Sequence, residues 1–500
     1  FTTIDTPTAC RIRSSGTVMW VNGVGSGIAF DAVVVGSGPN GLAAAVTLAR
    51  AGRSVVVLEA NESIGGGART AELTEPGFRH DLASALHPLG KASPFFTSID
   101  LEAHGLRWIT PPAAVAHPLD DGEAAICWND LDRTASGLGT DGAVYRRYYR
   151  RWVEQFDSLA DLFLRPLLRI PRRPLLSAGF GAAAAFPAST TAQRIWEHDK
   201  ARSLFLGHAA HSILPLTKPF TSSFGILLGA SAHAVGWPFP EGGAQAITDA
   251  LASLLRSLGG EIRTSHRVAS MDDIPPSTAV IFALTPRQVE HIVGDRFPPR
   301  YRAALGAFRY GSAAWKVDFA LDEPIPWSNS DVSQAGTVHV CGSPDEVIAA
   351  EAAVAAGKHP DRPFVLLAQQ SNFDATRAPE GKHTAWAYCH VPNGSMLDRT
   401  TIIEQQIERF APGFRDTIRS RHVSGPVDLE RQNANLVGGD IGGGSYSGRQ
   451  LFLRPRAQRN PFMTPDPRLF IGSASTTPGA GVHGMAGWGA ASRALKTVLR

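Results

Sequence analysis

The sequence predicts an α/β fold in which a Rossmann-like dinucleotide-binding domain, assembled from separated segments, is joined to a mixed α+β substrate domain. The first observation behind this prediction is a glycine-rich turn near residue 36, between a β-branched run and an Ala-rich run. The second is a helix–strand pattern that returns after residue 240, and the third is a group of strand-like segments between residues 315 and 390. A chain of 500 residues is long enough for two such domains.

The first element is a strand–turn–helix–strand unit over residues 31–60. The apolar run at 32–35 predicts a buried parallel strand, the run at 42–51 predicts a helix, and the run at 54–58 predicts a second strand. The turn between them has the form GxGxxG, which lets the backbone approach a pyrophosphate, and the acidic residue after the second strand suits a ribose hydroxyl. The predicted contact residues of this unit are Gly36, Gly38, Pro39, Asn40, Gly41, Glu59 and Ala60.

The stretch that follows, NESIGGGART over residues 61–70, favours FAD over NAD. Its glycines place more bare backbone beside the phosphates, and its arginine supplies a charge-assisted partner for them. NAD dehydrogenases do not need this second clamp. Gly66, Gly67 and Arg69 are therefore predicted cofactor contacts.

Residues 34–70 together resemble the FAD fingerprint of the flavoprotein superfamily that includes amine oxidases, protoporphyrinogen oxidase and phytoene desaturases. The resemblance implies an FAD cofactor and a discontinuous FAD-binding domain of the glutathione-reductase type. It also implies that the helix–strand pattern at 237–286 is a second visit to that domain, with the backbone near Val268 at the adenine.

The C-terminal stretch TTPGAGVHGMAGWGAA, residues 476–491, has poor helix propensity, yet it follows a predicted short strand at 469–472. In the superfamily such a stretch resembles the flavin-contacting motif. The resemblance places Gly472 near the ribityl–phosphate part, and Gly481 and Val482 in a turn under the ring that leads into the last helix. Small residues there let backbone N–H groups approach the flavin.

Three further segments, at 84–122, at 208–243 and at 435–444 with 451–455, resemble the phytoene-desaturase-like oxidoreductases grouped around pyridine nucleotide-disulfide oxidoreductase domain-containing protein 2. The predicted domains are an FAD-binding domain over 30–93, 237–300 and 440–500, and a substrate domain over 94–236 and 301–439. Residues 1–29 show no clear periodicity and only weakly resemble a signal peptide. We expect them to be a poorly ordered extension or the product of a start site assigned too early.

The substrate domain is expected to contain strands at 315–320, 337–340, 364–369 and 384–390. The segment at 404–414 predicts a helix that stops before Pro412. The glycine-rich segment at 436–455 lacks a strand–turn–helix context, so we expect it to approach the flavin or the substrate rather than to bind NADPH. The segment at 145–176 alternates aromatic residues and arginines. It predicts a helix over the substrate cavity or a basic, aromatic surface for a membrane, and both interpretations stay open.

Composition narrows the remaining function classes. The chain is 43% hydrophobic and 19% charged, and its net charge of +3 does not favour nucleic-acid binding. The four cysteines lie far apart without a CxxC pair, which favours a reducing compartment and predicts a cytoplasmic protein. His208 and His211 lack a third ligand at useful spacing, so no metal site is expected. No apolar run is long enough to predict a membrane span.

These patterns predict an FAD-dependent oxidoreductase that transfers a hydride from an apolar substrate, such as an isoprenoid, carotenoid-like molecule or lipid, to flavin N5 in a dehydrogenation, desaturation or isomerisation. The candidate proton-transfer residues are His483, His233 and Tyr310. One alternative is a flavin amine oxidase, which needs an aromatic pair at the flavin, whereas the C-terminal motif offers only Trp488. A second alternative is a non-catalytic FAD-binding protein with a regulatory or interaction role. The sequence does not indicate an oligomeric state.

Overall fold

The computed structural model describes residues 29–166 and 171–500. Most of the predicted N-terminal extension, residues 1–28, lies outside the described residues. The strands are β1 (Phe30–Val35), β2 (Val55–Leu58), β3 (Thr70–Glu72), β4 (Arg79–Asp81), β5 (Trp108–Ile109), β6 (Ala113–Pro118), β7 (Ala124–Trp128), β8 (Phe239–Pro240), β9 (Glu261–Arg263), β10 (Ser277–Phe282), β11 (Ala313–Leu321), β12 (Ala335–Val340), β13 (Val365–Ala368), β14 (His383–Val391), β15 (Ile418–Ser424) and β16 (Leu469–Ile471).

The helices are α1 (Pro39–Arg50), α2 (Pro88–Lys91), α3 (Leu131–Ser136), α4 (Gly142–Glu154), α5 (Phe156–Phe163), α6 (Pro174–Ala184), α7 (Ala188–Ile195), α8 (Asp199–Ala210), α9 (Ser222–Ala234), α10 (Gln245–Ser257), α11 (Pro286–Val293), α12 (Pro299–Gly306), α13 (Pro344–Ala355), α14 (Thr400–Glu408), α15 (Phe414–Thr417), α16 (Pro426–Gln432) and α17 (Met485–Leu495). With the strands they form two larger sheets and two small two-stranded sheets.

The first large sheet is parallel and has the order β16–β10–β1–β2–β9. Its central strand β1 is buried on both faces because its side chains alternate between two helical layers. Ala32 and Val34 pack in the cluster that contains α1, α10 and α17, whereas Val33 and Val35 pack against α11 and α12. This arrangement confirms the predicted Rossmann-like fold.

The second large sheet is mixed and has the order β15–β11–β14–β13–β12–β6–β7, with β6 and β12 parallel and every other pair antiparallel. This sheet confirms the prediction of a second domain with a mixed sheet. Strands β6 and β7 were missed by the sequence analysis, although both are fully buried. The domain boundaries stay a prediction, and the five strands of the first sheet all fall within the three segments predicted for the FAD-binding domain.

Several predicted elements end earlier than their patterns indicate. The predicted helix of the 145–176 segment is split at Gln155, whose φ of −113° and ψ of 24° leave the helical region and separate α4 from α5. The helix predicted to stop before Pro412 ends at Glu408 as α14, and Gly413, with a φ of +91°, precedes α15. In the helix–strand pattern predicted at 237–286, β9 ends at Arg263.

A buried cluster of histidines joins the second sheet to helix α8. His208 is fully buried and packs on His339 of β12, and the Nε2 atoms of His211 and His339 are 3.1 Å apart. Burial lowers the pKa of His208 and of His211 to about 3, so the cluster is neutral at ordinary pH. Within the described ranges no group of side chains is arranged to hold a metal ion.

No helix among the described residues has the length and apolar character needed to cross a bilayer.

Candidate functional site

A cavity of about 500 Å³ lies between the two large sheets and is lined by both. At one end its wall is made of Val35, Leu58 and the turn after β1, where the carboxyl ends of parallel strands meet. At the other end the second sheet contributes Lys316 and Trp386. A single cavity therefore joins the glycine-rich turn of the first sheet to a face of the second.

The acidic residue after β2 is held in a fixed orientation. Glu59 is buried, and its Oε2 accepts hydrogen bonds from the Ser37 N–H at 3.0 Å and from Ser37 Oγ at 2.6 Å. Its Oε1 accepts a hydrogen bond from the Asn61 N–H at 2.9 Å. The Asn61 side-chain amide also donates to Oε1, at 3.1 Å, so each carboxylate oxygen already accepts two hydrogen bonds, and a ribose hydroxyl that binds Oε1 would replace this amide. Glu59, Ala60 and Val268 all line the cavity, which places the carboxylate at the wall of this end.

The turn between β1 and α1 requires glycine for close backbone contact. A Cβ on Gly41 would lie 1.8 Å from the Gly36 carbonyl oxygen, and Gly36 has a φ of +99°. Helix α1 begins at Pro39, earlier than its apolar pattern predicts, and its N-terminus has no side-chain cap. Gly36, Gly38, Pro39, Asn40 and Gly41 line the cavity, which leaves the helix N-terminus available to phosphate groups.

Part of the second phosphate clamp, predicted at residues 61–70, lines the cavity, and part lies behind its wall. Gly66 and Gly67 line the cavity, whereas Arg69 lies outside the wall. Arg69 donates from Nε to the Gly66 carbonyl at 3.1 Å and from Nη2 to the Gln432 carbonyl at 2.8 Å. Burial lowers the pKa of Arg69, and the charge of Glu59 opposes that shift. In this structure Arg69 holds the backbone of the clamp, and its contact with a phosphate stays a prediction.

The C-terminal glycine stretch reaches the same cavity. Gly481 and Val482 line it just before α17, with Gly481 at a φ of +126°. Gly472 lies behind the wall, because a Cβ there would come within 2.8 Å of the Ala490 Cβ in α17. The sequence analysis thus placed Gly472 close to the site, and the structure gives it a packing contact with the last helix.

The three predicted proton-transfer residues lie off the cavity wall. His483 is fully buried and accepts the Met485 N–H at Nδ1, and burial lowers its pKa to about 4. His233 lies on α9, with its Nε2 3.0 Å from the Tyr145 hydroxyl, and burial lowers the pKa of His233 to about 4. Tyr310 contacts Thr285 Oγ1 at 2.9 Å, and burial raises its pKa. The roles of these residues stay a prediction.

Sequence analysis missed the charged pair of strand β11. Lys316 lines the cavity, is buried, and forms an ion pair with the carboxylate of Asp318, two residues along the same face of the strand. Burial lowers the pKa of Lys316, whereas Asp318 opposes that shift. Burial favours a raised pKa for Asp318, but the Lys316 charge holds the pKa of this carboxyl below its usual range. The pair is therefore ionised and has no net charge. Two charged residues alternating in the apolar run AAWKVDFAL are the signal that could have identified it.

The rest of this end is mostly aromatic and aliphatic, with His211 and Thr337 as its further polar residues. Strand β14 places Trp386 opposite Asp318 and Tyr388 opposite Lys316, and the two rings meet edge to face with centroids 5.2 Å apart. The other apolar side chains that line this end include Phe163, Ile213, Phe224, Leu227, Leu228, Trp237, Leu366, Ile441 and Tyr446. Glu59 is the one carboxylate among the described residues that line the cavity. Trp488 packs on Phe95 and lies off the wall.

Comparison with known proteins is consistent with this geometry. The NAD(P)-binding Rossmann-like domain family matches residues 34–98. Pyridine nucleotide-disulfide oxidoreductase domain-containing protein 2 of Mus musculus is 27% identical over 92% of this chain and 92% of that protein. A lycopene-forming phytoene desaturase of Pseudescherichia vulneris is 23% identical over 91% of this chain and 96% of its own. The resemblance inferred from the sequence is thereby confirmed.

A solved structure of a putrescine oxidase double mutant has the same fold. It superimposes with a TM-score of 0.61 over 94% of this chain and 99% of its own, at 18% sequence identity. At this identity the match carries information on the fold alone, and that fold is the one the flavoprotein resemblance implies.

We predict that Gly38→Val gives a folded protein without its dinucleotide. Gly38 has a φ of −65° and a ψ of 174°, which valine adopts freely, and the nearest heavy atom to its Cβ would be 3.8 Å away. The side chain would instead occupy the space in front of α1. The measurement is cofactor absorbance per protein chain, together with the melting temperature.

Two further variants serve as controls for Gly38→Val. Gly306→Val is the matched control, because a Cβ there meets nothing within 4 Å and Gly306 is away from the cavity. Gly41→Ala should instead prevent correct folding, since its methyl would overlap the Gly36 carbonyl. Full cofactor occupancy in Gly38→Val would contradict the assignment of this turn as the phosphate site.

Proposed function

We propose that this chain, a relative of the pyridine nucleotide-disulfide oxidoreductase domain-containing protein 2 group and of phytoene desaturases, is an FAD-dependent oxidoreductase that acts on an apolar substrate. The observation that carries the proposal is the continuity of the glycine-lined end and the apolar end in one cavity. An apolar molecule in the second end would lie next to a dinucleotide bound in the first. Isoprenoid, carotenoid-like or lipid substrates fit such walls.

The residues present fit FAD. Glu59 offers an acceptor for ribose hydroxyls, and the uncapped start of α1 offers N–H groups and a positive dipole end for the pyrophosphate. Backbone at Gly443 and Gly481 offers a close approach for the ring end of the molecule. When bound, the flavin would supply a hydride acceptor, and the apolar walls would exclude water from the reacting carbon atoms.

The ion pair of Lys316 and Asp318 would provide the polar contact at the substrate end. Because Asp318 neutralises Lys316, the pair adds little net charge to the cavity while it keeps N–H donors at the wall. These donors can orient a water molecule or a proton near the substrate. His80 and His422 lie 3.8 Å and 3.7 Å from the Asp318 carboxylate, and His422 is partly exposed to solvent.

A flavin amine oxidase is the alternative that a specific observation favours. Trp386 and Tyr388 supply an aromatic pair in the cavity, the feature that sequence analysis did not find near Trp488. Charge argues in the other direction. The Lys316–Asp318 pair offers no net negative charge to an ammonium substrate, and Glu59, the one carboxylate among the described wall residues, is at the dinucleotide end. We therefore favour the apolar substrate.

An anaerobic titration of the purified holoprotein tests this function. We expect a polyene such as phytoene, delivered in detergent, to bleach the visible flavin band, and we expect primary amines to leave it unchanged. Bleaching by amines alone would favour the amine oxidase. Tightly bound FAD that neither class of donor reduces would favour the non-catalytic alternative.

A cavity variant makes the test specific to the apolar end. Leu228→Trp should fill part of the wall and slow bleaching by the polyene at least tenfold, with FAD content unchanged. Leu258→Trp is the control, because Leu258 is exposed at the end of α10. Equal rates in both variants would contradict the placement of the substrate.

We also propose that the protein is cytoplasmic and binds peripherally to anionic membranes through α6. The described cysteines are buried and free, as is usual in a reducing compartment. Leu175 at the start of α6 is 90% exposed, and Phe186 just after it is 48% exposed. Arg172 and Arg173 precede the helix and are also exposed. An exposed apolar helix end beside basic residues suits an anionic bilayer surface.

The position of α6 connects this surface with the cavity. Phe180 of α6 contacts Trp152 of α4, and Arg151 lies over the Trp152 ring, so the basic face of α4 adjoins α6. Helix α6 also packs on α5 and α9, which place Phe163 and Phe224 on the cavity wall. Both interpretations of the 145–176 segment, a cover for the cavity and a membrane surface, are therefore kept in this proposal.

Vesicle co-sedimentation tests the membrane proposal. The protein should sediment with phosphatidylglycerol vesicles at low salt and less with phosphatidylcholine vesicles, and Leu175→Glu should weaken binding at least threefold. Met396→Glu is the matched control, since Met396 is 84% exposed and remote in sequence from α6. Absence of wild-type binding, or equal loss in both variants, would contradict the proposal.

A further inference from the structure

Arg454 is a fully buried arginine whose charge is not paired. Its side chain has no exposed surface, and its Nη2 donates to the Gly444 carbonyl at 2.7 Å. Its Nε and Nη1 have no hydrogen-bond partner. Within residues 29–166 and 171–500 it forms no ion pair, although a guanidinium cannot lose its proton in a protein. Unsatisfied buried cations are costly and therefore rare.

The position of Arg454 is directly behind the cavity wall. Its guanidinium carbon lies 4.3 Å from the centroid of the Tyr446 ring, and its Nη1 would be 2.8 Å from a Cβ on Gly479. The Tyr446 hydroxyl in turn accepts the Ala480 N–H at 2.7 Å. Tyr446, Ala480 and Gly481 all line the cavity, so a permanent positive charge lies one layer behind this part of the wall.

The buried carboxylate of Asp440, on the same loop, is already hydrogen-bonded to backbone groups. Asp440 accepts hydrogen bonds from the N–H groups of Gly311, Gly442 and Gly444 at 2.7, 2.6 and 2.8 Å. Burial raises the pKa of Asp440, and these hydrogen bonds oppose that shift. Asp440 therefore organises the glycine loop and is not in contact with Arg454. The Arg454 charge also lowers the pKa of Asp440, as a smaller cause than these hydrogen bonds, so Asp440 compensates Arg454 only at longer range.

A dinucleotide that starts at Glu59 and crosses the N-terminus of α1 must place its other half beyond Gly38. In that direction the cavity is lined by Gly443, Tyr446 and Gly481. A fixed cation behind this wall favours negative charge in front of it, because a low-dielectric interior screens the interaction weakly.

We propose that Arg454 is a positioning residue that raises the reduction potential of the flavin bound at this wall. The inference rests on the proposed FAD-dependent function. With the flavin bound, transfer of a hydride would break a C–H bond of the donor and carry both electrons and the hydrogen to flavin N5. The donor would release a proton from the neighbouring carbon atom to solvent, which leaves a carbon–carbon double bond, and the ring system would carry one added negative charge. Arg454 stabilises that charge through the cavity wall, without touching the substrate.

Sulfite binding and the flavin midpoint potential test this inference without the native substrate. Sulfite adds through a sulfur–N5 bond and leaves negative charge on the ring, so its affinity reports the same electrostatic stabilisation. In Arg454→Met we expect sulfite to bind about tenfold more weakly, and the two-electron potential to fall by the equivalent of about 30 mV. Arg454→Lys keeps the charge and should restore most of both values.

Arg456→Met is the matched control, because it removes the same charge two residues away. Arg456 lies over the Tyr301 ring and off the cavity wall, so its removal should change sulfite affinity less than twofold. A flavin-loaded Arg454→Met protein with unchanged affinity and potential would overturn the inference, as would equal losses in both variants.

A second measurement keeps the test decisive if Arg454→Met does not fold. The wild-type holoprotein should form the sulfite adduct with a Kd that Arg454→Lys changes less than threefold. Failure of the wild-type flavin to bind sulfite would overturn the inference. Purification of the wild-type chain without any flavin would instead contradict the proposed function itself.

Discussion

The close crossing of helices α1 and α17 is the constraint on which the rest of the site depends. A Cβ on Gly487 would lie 1.7 Å from the Asn40 carbonyl oxygen, and a Cβ on Gly41 would lie 1.8 Å from that of Gly36. Bare backbone at these positions lets the start of α1, the turn before α17 and the ends of the parallel strands meet at one cavity. Two chain segments more than 400 residues apart thereby form one binding surface. Any side chain at the crossing would separate them.

The electrostatics of the cavity follow from this arrangement. Its dinucleotide end has N–H groups, the arginines Arg267 and Arg431 and one oriented carboxylate, whereas its far end is mostly apolar around Lys316, His211 and Thr337. Asp318 neutralises Lys316, whereas Arg454 forms no ion pair among the described residues and interacts with Asp440 only at longer range. One buried cation is thus paired, and the other is held behind the wall. Because of this difference, we propose that Lys316 orients a water molecule or a proton near the substrate, and that Arg454 stabilises the negative charge added to the flavin.

Local patterns predicted residues that the structure brings to one end of the cavity, and their contacts with a cofactor stay a prediction. The GxGxxG turn, Glu59 and the 61–70 clamp are contiguous in sequence, and their roles follow from strand, turn and helix propensities. The C-terminal turn could be predicted only through resemblance, because its composition alone indicates a weak helix. Contacts that depend on packing were not predictable, and these include the placement of Arg69 and Gly472 behind the wall.

The substrate end was the least predictable part for a physical reason. Lys316, Asp318, Trp386 and Tyr388 come together through the antiparallel register of β11 and β14, strands separated by more than sixty residues. Each strand shows alternation, but neither shows which partner it pairs with or which face meets the cavity. The histidine cluster and the parallel pairing of β6 with β12 also depend on long-range contacts, since more than 200 residues separate β6 from β12. Strand β7 pairs with β6 through a short turn, so this hairpin was missed although its pairing is local.

The most direct measurement is a crystal structure of the chain purified with the cofactor that it retains. The account predicts FAD, with the adenosine ribose hydroxyls on Glu59, the pyrophosphate at the start of α1 and the ring system against Gly443, Tyr446 and Gly481. An NAD molecule confined to the Glu59 end, or a flavin ring bound away from the Tyr446 wall, would contradict it.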